Sequence, residues 1–191
     1  MTKTELYEAL NYIDATREKR TVMANWVLDN PKSMRSLLEI IFMGEDPISN
    51  RAGWVLDYVI QRKLSYLYIH LDFFTSKISG VQMDSSIRPL AKACQLLTIA
   101  YYSKKDKEAR KALTTEHLQQ IAAVAFDWLI GDYKVAAKAY SMTSLLLLGQ
   151  QFKWIHPELR LVLEQNYASG SAGYKARARA TLETLGKMIQ N

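Results

Sequence analysis

Apolar residues recur at helical spacing along most of the chain. Ala52/Leu56/Val59, Ala93/Leu97/Ala100 and Ala178/Leu182/Leu185 each fall at i, i+4, i+7, and Ala139/Thr143/Leu146 repeats the pattern with one polar member. That spacing lines one face of an amphipathic helix. Each leading alanine follows a basic residue: Arg51, Lys92, Lys138 and Arg177. One register therefore occurs four times, at intervals of 41, 46 and 39 residues, close to the period of roughly 40–47 that marks paired-helix solenoids, in which each unit buries its apolar face only by stacking on a neighbour. The apolar periodicity calls for no strand.

Breakers divide the pattern into about ten helices. An opening pair occupies Thr4–Tyr12 and Ala15–Leu28 and ends at Asp29-Asn30-Pro31. Four hairpins follow: Lys32–Phe42 with Ile48–Arg62, Leu64–Ile78 with Ser86–Tyr102, Thr115–Ile130 with Tyr133–Leu148, and Pro157–Tyr167 with Ala172–Ile189. Second helices have candidate caps in Asp46 or Ser49, Asp84 or Ser85, Asp132, and Ser171. The pattern predicts one all-α domain over 1–191, with a cap at 1–30 and repeats at 31–63, 64–103, 114–152 and 155–190. Ala93, Ala139 and Ala178 are expected at close helix contacts.

A turn aspartate, a basic-alanine step and then leucines on the second helix resemble the HEAT and armadillo-like repeat family. The segment Asp132-Tyr133-Lys134-Val135-Ala136-Ala137-Lys138-Ala139-Tyr140-Ser141-Met142 matches best, followed by Ser171 to Leu185. Three features depart from that pattern: Pro89 within the first turns of a second helix, Ser171 in place of the turn aspartate, and a long connection over 103–113. The resemblance implies a right-handed α-α superhelix. It also implies a non-enzymatic scaffold or adaptor that binds another macromolecule, foremost a protein, in the groove lined by its second helices. HEAT-like alkylpurine DNA glycosylases supply a nucleic-acid-binding alternative, although Trp128 followed by Asp132 is a thin match to their aromatic and acidic pocket. An ordinary helical bundle is the competing architecture.

Composition agrees with a folded chain: 49% of the 191 residues are hydrophobic and 23% charged. The net charge of +6 is uneven, since residues 1–45 carry six Lys/Arg and seven Asp/Glu while the rest carries 19 and 12. A basic excess within the repeats favours an acidic partner, with nucleic acid the other candidate. The run Lys104-Lys105-Asp106-Lys107-Glu108-Ala109-Arg110-Lys111 reads as a solvated loop or helix end. The amino terminus lacks a secretory pattern, and Leu145–Leu148 is too short an apolar burst to span a bilayer, so a cytoplasmic location and no membrane partner are expected. Cys94, alone among apolar neighbours, reads as a buried, inert thiol.

Candidate chemistry is sparse. His70, His117 and His156 recur near the repeat period, but equivalent positions on packed helices lie about 8–10 Å apart, whereas zinc needs nitrogens at about 2.0–2.1 Å. Asp57, Asp72 and Asp127 sit amid apolar helix residues and need partners, which Arg51, Lys92 or Lys138 on adjacent helices could supply. No Gly-x-Gly-x-x-Gly, Walker loop or Gly-x-Ser-x-Gly elbow is present. Ser169-Gly170-Ser171-Ala172-Gly173 precedes a helix amino end suited to an anion, or is simply a turn. No catalytic, cofactor or metal residue is therefore assigned. The candidate partner contacts are Arg51, Lys92, Lys134, Lys138, Lys175, Arg177 and Arg179. The basic-alanine positions among them could equally form a ladder to turn aspartates or carbonyl ends.

Overall fold

The chain turns helical where the apolar spacing demands it. The computed structural model describes residues 1–14, 16–81 and 84–189 and contains, among them, eleven α-helices, two 3-10 segments and no strand. The helices are α1 (Lys3–Leu10), α2 (Arg17–Asp29), α3 (Met34–Met43), α4 (Ile48–Arg62), α5 (Leu71–Ile78), α6 (Asp84–Tyr102), α7 (Lys107–Ala112), α8 (Thr115–Ile130), α9 (Val135–Leu148), α10 (Ile155–Tyr167) and α11 (Ala172–Ile189). Contacts follow chain order in two series. α2, α4, α6, α9 and α11 pack each on the next, as do α1, α3, α5 and α8, while α10 rests on α9 and α11.

Two segments differ from the sequence expectation. Leu64–Ile78 is not one helix: Leu64–His70 is 3-10, and only Leu71–Ile78 is α-helical. With three residues per turn, Leu64, Leu67 and His70 share one side of the 3-10 segment, and Leu67 is fully buried there. Its tyrosines also reach outward, Tyr66 Oη donating to Leu28 O at 3.0 Å and Tyr68 Oη to Asp106 Oδ2 at 2.8 Å. The charge run, in turn, contains α7 rather than a bare loop. Asp106 caps it by accepting from Ala109 N at 2.8 Å, Ala109 is buried, and the lysines around it face solvent as expected.

Three of the four stripes lie in the core as read. Ala52, Leu56, Val59, Ala93, Leu97, Ala178 and Leu185 are essentially inaccessible, and Leu182 packs against them half-buried. The fourth is misplaced. Ala139, Thr143 and Leu146 are only half-buried, whereas Ala137, Ser141, Met142, Ser144, Leu145 and Leu148 form the buried surface of α9. Because α6, α8, α10 and α11 all pack on α9, it has no single apolar face from which a register could be read.

Proline and cap positions follow from packing. Pro89 is buried against α4, where a Cβ on Gly53 would lie 2.9 Å from its Cγ, so the departure at Pro89 belongs to the α4/α6 contact. Gly44, at φ +70°, ends α3 in the left-handed conformation that glycine adopts without strain. Ser171 caps α11 as expected, accepting from Tyr174 N at 3.3 Å. Asp46 and Asp132 do not cap: α4 starts at Ile48 as expected but with Pro47 in the N-cap position, and α9 starts at Val135 rather than Tyr133, with Lys134 in that position. Ser49 instead lies inside α4, buried, and donates to Ile40 O at 2.6 Å. The expected start at Ala15 lies outside the described residues, and so do the side chains of the candidate caps Asp84 and Ser85.

Candidate anion-binding pocket

Helical spacing aligns polar side chains on three neighbouring helices that would otherwise have no reason to meet. Arg17 and Arg20 stand three apart on α2, Asp57 with Gln61 and Tyr58 with Arg62 stand four apart on α4, and Arg88 with Lys92 stand four apart on α6. Positions three or four apart share a helix face. Packing α4 between α2 and α6 turns these faces onto one hollow of about 420 Å³. Five basic side chains line it, and Asp57 is the one carboxylate among the described lining residues.

Asp57 is 7% exposed and needs a partner, because an unpaired carboxylate at that depth forfeits its hydration. Lys92 Nζ sits 2.8 Å from its Oδ1, and Arg88 Nη2 lies 4.0 Å from Oδ2. Gln61 Nε2 donates to the same Oδ1 at 3.0 Å and to the Asp57 carbonyl at 2.8 Å. The expected pairing of Asp57 with a basic residue on an adjacent second helix is thus present, through Lys92. The arginines are held differently. Arg20 lies with its guanidinium carbon 5.6 Å from the ring centroids of both Trp54 and Tyr58 and donates Nε–H to Thr16 O at 3.1 Å, while Arg62 lies 5.7 Å from the Tyr58 centroid. Such stacking restrains a flexible cation without neutralising it.

The other candidate contacts do not converge here. Arg51 is turned inward, Nη1 donating to Leu10 O at 3.3 Å and Asn11 O at 2.8 Å, where it satisfies carbonyls at the carboxyl end of α1. Lys138 lines a smaller hollow of about 190 Å³ with Tyr133, Ser169, Gly170 and Ser171 at the start of α11. Arg179 donates Nε–H and Nη2–H to Tyr167 Oη at 3.2 and 3.1 Å. Arg177 is exposed on α11, Lys175 is half-buried, and Lys134 is exposed in the N-cap position of α9. The basic-alanine step is therefore not one functional position repeated. Arg51 and Lys92 tie helices together, whereas Lys138 and Arg177 point elsewhere.

Arg17, Arg20, Arg62 and Arg88 escaped the sequence reading. Their signal in the sequence is only the three- and four-residue spacing, and α2 lies in the segment without a basic excess. The histidines serve local ends. His117 Nε2 is 2.6 Å from Asp72 Oδ1 and its ring shares a reciprocal cap with Thr114, while His156 Nε2 is 2.9 Å from Leu146 O. His70 is half-buried, and desolvation, with Arg35 nearby, lowers its pKa from the usual imidazole value. Burial pushes the Cys94 thiol well up. Asp127 is exposed, so it does not require the partner expected for it. Among the described residues no three His, Cys, Asp or Glu side chains are grouped to hold a metal ion, and no helix is long and apolar enough to cross a membrane.

No protein-family model, curated protein or solved structure matches the chain.

Proposed function

We propose that the protein is a non-enzymatic scaffold or adaptor of the HEAT and armadillo-like kind, which binds an acidic polypeptide on the face where α2, α4 and α6 meet. Support for the repeat architecture comes from second helices packing each on the next in chain order and from the basic-alanine stripe buried in three of them. The observation that carries the binding role is the pocket itself, five cations around one carboxylate that is already paired. These groups suit holding an anion rather than turning over a substrate. Arginine keeps its proton at any working pH, and the single acid is engaged by Lys92, which leaves the hollow without a pair suited to general acid and base roles.

Hydrogen exchange of the full chain with poly-L-glutamate, across a salt series, tests the proposal. Protection is expected on α2, α4 and α6 and should fade as salt rises, because the attraction is between solvated charges. Protection confined to α10 and α11, or none at low salt, would refute it. Mixed-sequence duplex DNA that protects the same helices and displaces poly-L-glutamate would give the surface to nucleic acid instead.

A further inference from the structure

We propose that the hollow where the starts of α9 and α11 meet is a second binding site, separate from the α2/α4/α6 face, and that it takes a phosphate group. About 190 Å³ of space opens there between Lys138 on α9, the Ser169-Gly170-Ser171 turn and Tyr174 in the first turn of α11. The two helix starts abut, since a Cβ on Gly173 would lie 3.3 Å from Val135 Cγ1. The first amides of a helix have no partner within it and carry the positive end of its dipole. On α9 the N-cap position is held by Lys134 without a side-chain cap, so no side chain takes up the Val135 and Ala136 N–H groups. On α11 the Ser171 Oγ accepts from Tyr174 N, at 3.3 Å, which leaves the Ala172 and Gly173 N–H groups open.

Two side chains in the wall are without partners. Tyr174 is 4% exposed, and its Oη makes no hydrogen bond. Its ring runs beside Gly170, where a Cβ would lie 2.4 Å from Tyr174 Cδ1, so ring and turn form one wall of the hollow. A buried hydroxyl without an acceptor is costly, and desolvation raises its pKa, which keeps the proton on it. An oxygen of a bound anion supplies the missing acceptor. Lys138 is half-buried and forms no ion pair or hydrogen bond among the described residues. Carbonyls at the end of α10, which would repel an anion, are already engaged: Asn166 O accepts from Ser169 Oγ at 3.4 Å, and Tyr167 O from Gly170 N at 3.3 Å. Lys138, Ser171, Tyr174 and the two helix starts thus surround one small space with donors. A tetrahedral phosphate offers acceptor oxygens in several directions, whereas a carboxylate offers two in one plane.

The test uses the full chain and follows backbone amide and Tyr174 ring signals by NMR during titration with inorganic phosphate at constant ionic strength. Methyl phosphate, acetate and chloride are the comparison probes. Phosphate should produce saturable shifts at Val135, Ala136, Ala172 and Gly173, with tighter binding than acetate and no such response to chloride. Methyl phosphate binding as well as inorganic phosphate would uphold the site and identify the terminal group of a larger molecule as its ligand, whereas inorganic phosphate alone would uphold it for the free ion. Lys138→Met should weaken phosphate binding by about tenfold and Tyr174→Phe by about threefold, the ratios expected for a charged and a neutral hydrogen bond. Both variants should melt no lower than the wild type, since neither side-chain polar group has a bond to lose. Lys111→Met, at an exposed position on α7, should leave phosphate binding unchanged. Equal binding of acetate would overturn the phosphate selectivity. No saturable shift, shifts that chloride reproduces, or shifts confined to α2, α4 and α6 would overturn the site, as would wild-type affinity in both Lys138→Met and Tyr174→Phe.

Discussion

Lys92→Met should destabilise the fold more than any other single loss of charge in the pocket. The Lys92 side chain is 17% exposed and that of Asp57 10%, so deleting the ammonium strands a carboxylate that water barely reaches. Removing one partner of a fully buried pair costs about 3–5 kcal/mol. Here Gln61 still donates to Oδ1 at 3.0 Å and Arg88 can close from 4.0 Å, which brings the expected loss to about 2–3 kcal/mol. For a chain of this size that lowers the melting temperature by about 4–12 °C. Thermal and urea unfolding followed by circular dichroism would measure it. The double variant Asp57→Leu with Lys92→Met should recover most of the loss, because a replaced pair leaves no stranded charge, whereas additive single losses would show that the two do not interact. A wild-type midpoint for Lys92→Met alone would mean that Asp57 is solvated and that the pair is no part of what joins α4 to α6.

Three further outcomes follow from local geometry. Gly149→Ala places a Cβ 1.9 Å from the His156 ring, so the ring must swing off Leu146 O; the variant should lose about 1–3 kcal/mol in urea unfolding, with most of the steric part relieved when His156→Ala is combined with it. An unchanged midpoint for the single variant would place the ring elsewhere. Cys94 should resist an aromatic disulfide reagent in the folded protein and react at a rate set by global unfolding, and rapid labelling at neutral pH would show that the thiol is reached through local opening. The lowered pKa of His70 means that the unfolded chain binds the proton more readily, so this residue's contribution to stability is present above about pH 6.5 and declines as pH falls through that value toward the folded pKa. His70→Gln should flatten the dependence of unfolding stability on pH below 7, and an unaltered profile would remove His70 as its source.

Much of the fold is legible along the chain, because burying one face of a helix imposes a period that a single strand of text can carry. Ala52/Leu56/Val59 and Ala93/Leu97/Ala100 could be placed in the core from spacing alone, and the turns containing Gly44 and Gly170 could be placed from their breakers. The same logic failed on α9. Four neighbours bury it from several directions, so its apolar residues no longer mark one face, and Ala139 was assigned a contact that Ala137 and Ser141 make. It failed again at Leu64–His70, where Tyr66 and Tyr68 hydrogen-bond to segments about forty positions away and the competing 3-10 winding sets their direction.

The pocket lay further out of reach, and for a different reason. The sequence determined each contributing face by itself: the pairs Arg17/Arg20, Tyr58/Arg62 and Arg88/Lys92 are neighbours on their own helices whatever surrounds them. It also required a partner for Asp57, since a carboxylate among apolar helix positions does not stay unpaired. Only the tertiary structure decided that the three faces meet, that Lys92 pairs closely with Asp57, and that Arg51 turns inward to carbonyls at the end of α1. Those outcomes depend on the rotation and spacing of α2, α4 and α6 about one another. Close approaches such as Gly53 against Pro89 set that geometry, and no periodicity within one helix encodes it.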